Sequence, residues 1–154
     1  MNNSGVTVKI VSYACNADQL ESDLLFISKY GDVELEDERG LFVFTKEMVR
    51  DLARDWAATK PALGKKHRYT TNLVLLTPAC IEPNKIKAAA HNFAKREFSH
   101  NHQYVLALYE HDRNPHAYLT ILNFGFDGRC LRIKRGFIQQ LQKSFAAELE
   151  RREV

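Results

Sequence analysis

The spacing of apolar and polar residues changes repeatedly along this chain, and the changes mark its elements. Val6–Ser12 is β-branched but alternates poorly, and it predicts a first strand. Asp18 and Glu21 have the spacing of a capping box, and Leu20, Leu24 and Ile27 recur at helical intervals. They predict a first helix closed by Gly31 at its C′ position. Phe26 and Tyr30, four residues apart, would share another side of that helix. Leu41–Phe44 predicts a short strand. Thr45 can cap a second helix whose core stripe is Met48, Val49, Leu52, Ala53 and Trp56, with Arg50 and Arg54 turned away from it.

After a loop over Lys60–His67, Tyr69–Thr77 predicts a strong strand, and Pro78 and Pro83 bracket a turn. A third helix is expected from about Asn84 to Phe98, burying Ile86, Ala90, Phe93 and Ala94. Tyr104–Tyr109 and Ala117–Leu122 are strand-length apolar runs separated by the turn formers Asp112, Arg113, Asn114 and Pro115, which is a hairpin pattern. Arg129–Lys134 predicts a last strand, and a helix from about Phe137 to Arg152 closes the chain. The order gives an α/β (α+β) domain, one domain over residues 1–154, with no repeat and no linker. It could equally be the N-terminal domain of a longer protein.

The hairpin gathers chemistry. Side chains alternate faces along a strand, so His116 and Tyr118 project to one side and Tyr109 faces them from the partner strand. Glu110, His111 and Asp112 lie at the tip. Two phenols and one imidazole are a poor set for a divalent ion, because a phenol with a pKa near ~10 must first lose its proton. Tyr109 and Tyr118 read more simply as sheet aromatics whose hydroxyls bond His116 or water, and Tyr30 as a helix-end aromatic packed under Gly31. His67, His91, His100 and His102 suggest no role.

Charge adds a surface. The net charge of +3 says little, but its distribution is uneven. Trp56–Ile81 and Gly128–Ala147 contain no acid, while Asp32–Glu38 concentrates them. Lys65, Lys66, Arg68, Arg132, Lys134 and Arg135 in the basic windows are candidate phosphate contacts, with Tyr69 beside one window. Three well-separated cysteines form no zinc or disulfide framework, and no apolar run reaches membrane-helix length. A cytoplasmic protein with reduced thiols is expected.

Asn114-Pro115-His116, with Tyr109, His111 and Tyr118 at fixed distances around it, resembles the metal hairpin of MobA-type mobilisation relaxases, the HUH-fold enzymes that nick plasmid DNA for transfer. Leu20–Leu35 resembles the nucleophile helix and turn of the T-DNA border endonuclease branch of that family. Val49–Trp56 resembles its second helix, Thr70–Leu75 its second-motif strand, and Arg132–Arg135 its end. The resemblance implies a largely antiparallel central sheet flanked by helices, a bacterial setting, and single-stranded or hairpin transfer-origin DNA as substrate. It also implies relaxosome or type IV secretion coupling proteins as partners and a divalent ion (Mn²⁺, Mg²⁺ or Zn²⁺), expected to be weak here.

Against the pattern, Tyr109 and Tyr118 stand where histidines are expected, His111 stands for an aspartate, and His116 alone keeps its place. Phe26 stands at the attacking tyrosine. Two readings remain open on the sequence. One is a nicking relaxase rebuilt around Tyr30, His111 and His116; the other is a degenerate relaxase fold that recognises DNA or recruits partners. A module that kept only the fold is a third.

Overall fold

The computed structural model describes residues 5–59, 68–78, 81–110 and 112–151. Among these, one six-stranded sheet carries helices on both faces. The chain order is β1 (Thr7–Ala14), α1 (Ala17–Ile27), β2 (Leu35–Asp37), β3 (Phe42–Val43), α2 (Lys46–Ala58), β4 (Thr70–Leu76), α3 (Pro83–Phe98), β5 (Tyr104–Tyr109), β6 (His116–Leu122) and α4 (Arg135–Arg151). The strands lie in the order β1-β4-β6-β5-β2-β3, and every pairing is antiparallel.

Two cores follow from alternation. Val8, Leu73, Leu75, Leu106, Leu119 and Ile121 face α3 and α4, where Phe93, Phe98, Leu141 and Phe145 meet them. Phe93 packs edge-on to Phe145 with centroids 5.5 Å apart, a favoured geometry for large apolar rings. Leu35, Val105, Ala107 and Leu122 face the other way, onto Leu20, Leu24, Val49 and Trp56 of α1 and α2. The poor alternation of the first strand has a cause in this division. A bulge between Ile10 and Ser12 lets Ile10 join the α3/α4 core while Ser12 bonds Asn72 beneath α1.

Local signals explain the helix starts. Thr45 caps α2 by accepting from the Met48 N–H at 3.0 Å. The cap of α1 is Asn16 rather than Asp18: its side chain accepts from the Gln19 N–H, and Gln19 accepts in turn from the Cys15 N–H. This is a reciprocal cap set two residues earlier than the Asp18–Glu21 spacing suggests.

One other expectation fails, and one strand was not foreseen. Arg129–Lys134 forms no strand; only Cys130 makes a bridge, to Phe124, and α4 begins at Arg135. Leu131 and Ile133 instead lean on the α3/α4 core. The acidic run hides a strand, β2, whose Asp37 side chain closes the following turn by accepting from the Arg39 and Leu41 N–H groups. Among the described residues no helix is long and apolar enough to cross a membrane.

Candidate functional site

The hairpin brings its three rings together as the alternation requires. Tyr109 pairs with His116 across β5 and β6. Ring centroids are 5.0 Å apart for Tyr109–His116, 5.5 Å for Tyr109–Tyr118 and 5.6 Å for His116–Tyr118. The turn is tied down from β4, since the Thr77 hydroxyl donates to the Pro115 carbonyl at 2.6 Å. His116 Nδ1 lies 2.8 Å from the Asn114 carbonyl. A carbonyl only accepts, so Nδ1 carries the proton and Nε2 is the nitrogen that faces outward chemistry.

The Tyr109 hydroxyl finds a partner other than His116. It is buried, and its hydroxyl donates to the backbone carbonyl of Ile27, the last residue of α1. Burial, with smaller contributions from Tyr118 and Asp112, pushes its pKa up to about 12. The phenol is therefore neutral and engaged at physiological pH.

That bond fixes where α1 delivers its end. The helix stops at Ile27, and Ser28 caps it, its N–H bonded to the Leu24 carbonyl and the following Lys29 N–H to the Phe26 carbonyl. Lys29 and Tyr30 then adopt left-handed backbone, φ 49° and 58°. The Tyr30 N–H reaches back to the Leu25 carbonyl at 2.8 Å, and Val33 N–H to Ser28. Tyr30 is thus not one helical turn beyond Phe26, nor packed under Gly31. It is 63% exposed, with the Lys46 ammonium 5.8 Å from its ring centroid. Gly31 makes the turn possible, since a Cβ there would lie 2.6 Å from the Lys46 nitrogen at φ +97°.

Phe26, 67% exposed, stays with the hairpin. With Lys29, Tyr109, Asp112, His116 and Tyr118 it lines a cavity of about 200 Å³. Tyr30 does not line it. Phe26 is thus at the hairpin cavity and Tyr30 is not.

Among the described residues the donor set does not fit a resident divalent ion. Of those lining the cavity, His116 is the one imidazole, the Tyr109 hydroxyl is bonded to backbone, and Asp112 is the one carboxylate. Among the described residues no three His, Cys, Asp or Glu side chains converge as ligands. His111 lies outside the described residues.

The basic candidates gather elsewhere. Arg68 stacks its guanidinium over the Tyr13 ring, 3.6 Å from the centroid. Together with Arg132, Thr71, Asn123 and Cys130 they line a cleft of about 320 Å³. Thr71 alternates with Leu73 and Leu75, so this cleft opens on the α3/α4 face. His116 sits opposite Leu76 at the other end of β4, about 17 Å of strand away at ~3.4 Å per residue, on the α1 face. Lys134 and Arg135 are exposed where the chain enters α4. Lys65 and Lys66 lie outside the described residues.

The sequence reading missed Lys29 and Tyr13, and it missed the network in which Asn72 donates to Ser12 and Asp23 and accepts from Thr120. Burial raises the Asp23 pKa, with the Asn72 bond opposing. The signal in the sequence was a polar Asn72 inside the apolar run Tyr69–Thr77; in the fold it pairs with Thr120. His102 and His91, given no role, are structural. His102 Nδ1 donates to the Leu122 carbonyl at 2.8 Å, and His91 faces Glu36 at 3.1 Å.

An antiparallel sheet covered on both faces, with an Asn-Pro-His hairpin meeting the end of the first helix, defines a relaxase-type nuclease domain. The family described as "Relaxase: MobA/VirD2-like, nuclease domain" matches residues 26–153, and the chain belongs to it. Membership places the protein in DNA processing for mobilisation. A search of curated proteins gives no match.

Proposed function

We propose that this domain holds single-stranded transfer-origin DNA and does not nick it, serving transfer by recognition and recruitment in the bacterial cytoplasm. The observation that carries this reading is Phe26. Where the resemblance places the nucleophile, a side chain without a hydroxyl lines the hairpin cavity, and the cavity's phenols, Tyr109 and Tyr118, stand on the sheet strands rather than at the helix end. Tyr109 is bonded to Ile27, and Tyr30 does not line the cavity. A covalent step needs an attacking oxygen aligned with the phosphodiester, and misplacement by even ~1 Å is costly.

Binding needs less. Phosphates are held by cations and bases by exposed ring faces. Arg68 and Arg132 share one cleft with Tyr13, Lys134 and Arg135 continue the basic surface, and Phe26, Tyr30 and Phe44 expose their rings. Lys65 and Lys66 extend the same basic window in sequence. Relaxosome or type IV secretion coupling proteins are the partners such a module would recruit.

Fluorescence anisotropy of a labelled single strand against salt tests this. Wild type should bind with a steep log–log slope. Arg68→Ala with Arg132→Ala should flatten that slope by about 1.4, the share of two phosphate contacts at ~0.7 each. An unchanged slope would take the cleft out of the interface, and no binding at low salt would overturn the DNA reading.

A further inference from the structure

We infer that Lys29 gives this site a metal-independent phosphodiester subsite, its ammonium supplying the positive charge for which the described residues show no metal-ligand cluster. The inference rests on the DNA-binding reading above and deepens it.

Three observations converge on Lys29. Its ammonium lies over the Tyr109 ring, 4.8 Å from the centroid, within the hairpin cavity and next to His116 and Tyr118. A cation held on a ring face keeps donors free for an anion, which a carboxylate partner would consume. The second observation is backbone. Lys29 and Tyr30 are the non-glycine residues with positive φ among the described residues. L-residues avoid this region, and such strain persists where the surroundings over-determine it, commonly at ligand sites. Here the surroundings are the Ser28 cap, the Tyr30–Leu25 bond and the close approach of Gly31 to Lys46. A helix continuing through residue 29 would carry the ammonium elsewhere.

The third is the chemistry of the walls. Two phenols and one imidazole offer the ammonium no carboxylate partner, and the Tyr109 hydroxyl is turned onto Ile27. The cavity of about 200 Å³ has room for one phosphate group with the ring faces of Phe26 and Tyr118 beside it. Asp112 opposes on the rim, and Lys29 also borders an adjoining cleft that carries Asp32, Glu34, Glu36 and Glu110; these charges limit affinity. The ligand is a phosphodiester of single-stranded DNA. It is bound by charge and hydrogen bonds from the Lys29 ammonium, with no bond made or broken.

The test is anisotropy of a labelled single-stranded oligonucleotide with the intact chain, in EDTA and in Mn²⁺. Wild type should bind equally under both conditions, within about twofold. Lys29→Met should weaken binding about tenfold in EDTA and flatten the salt slope by about 0.7, while Lys29→Arg retains most of the affinity. Asp112→Asn should strengthen binding. Lys29→Gly separates site from scaffold: it relieves the left-handed strain, so its melting temperature should equal or exceed wild type while its affinity falls. Lys29→Met binding at wild-type affinity, with wild type bound, would overturn this inference alone. A wild-type affinity that depends on Mn²⁺ would also overturn it. Failure of wild type to bind at all would overturn the DNA reading and this inference with it.

Discussion

Tyr109→Phe removes one oxygen and asks how firmly the hairpin holds α1. The ring stays, with its neighbours His116 and Tyr118 at 5.0 and 5.5 Å. The hydroxyl that donates to Ile27 is lost, and both residues are buried, so water cannot fully replace it. A buried bond of this kind contributes about 1–2 kcal/mol. At ~2.1 cal/mol/K of unfolding entropy per residue, that is a melting shift of about 3–6 °C for a domain of this size. A pH signature accompanies it. The Tyr109 pKa is about 12 in the folded protein, against ~10 in an unfolded chain. Between those values the unfolded state has released its proton and the native state has not, so stability falls as pH rises. Below about pH 10 the contribution is fully present. Solvent at the cavity mouth reduces it to the order of 1 kcal/mol. Urea unfolding of both proteins at about pH 8 and about pH 11 gives the difference directly, with the other tyrosines cancelling. Wild type should lead at the lower pH and lose part of that lead at the higher one. Equal stabilities within about 0.3 kcal/mol at the lower pH, or a pH-independent difference, would refute the bond's role.

Gly31→Ala should cost about 2 kcal/mol or more in denaturant melts, because φ +97° and a contact of 2.6 Å with the Lys46 nitrogen leave no room for a Cβ. Arg96→Ala should cost about 1–3 kcal/mol, since it strips the 2.6 Å partner from Glu148, a buried carboxylate joining α3 to α4. A further Glu148→Met should recover much of that loss in the same melts. Tyr109→His with Tyr118→His should create a Mn²⁺ site measurable by calorimetry, because both positions lie within 5.6 Å of the His116 ring centroid. Heats no larger than those of wild type would mean that the hairpin lacks the family's geometry.

The elements legible in the sequence were those specified locally. The hairpin announced itself because Asn114-Pro115 interrupts two apolar runs, and period-two alternation then placed Tyr109, His116 and Tyr118 on one face. Thr45 marked the start of α2 for the same reason, a side chain bonding a backbone group three residues on. What the sequence concealed depended on distant partners. β2 lies in an acidic run and exists because β5 pairs with it. Arg129–Lys134 has strand composition, but apart from the Cys130 bridge it runs as a connection on which Leu131 and Ile133 pack. The turn after α1 was the costliest miss. Helical spacing put Tyr30 above Phe26, whereas the left-handed pair Lys29–Tyr30 sends the phenol outward and brings an ammonium in. No propensity reports such a turn; the close packing of Gly31 on α2 imposes it.

The central claim is a relaxase fold that holds its DNA without attacking it. It is tested most directly by incubating the intact protein with a labelled single-stranded transfer-origin oligonucleotide and Mn²⁺, then separating the products under denaturing conditions. The account predicts a complex that survives native electrophoresis and leaves no label on the denatured protein, with Phe26→Tyr as the variant that reintroduces an attacking oxygen beside His116. A covalent adduct formed by the wild-type chain would contradict it, and loss of that adduct in Tyr30→Phe would identify the nucleophile.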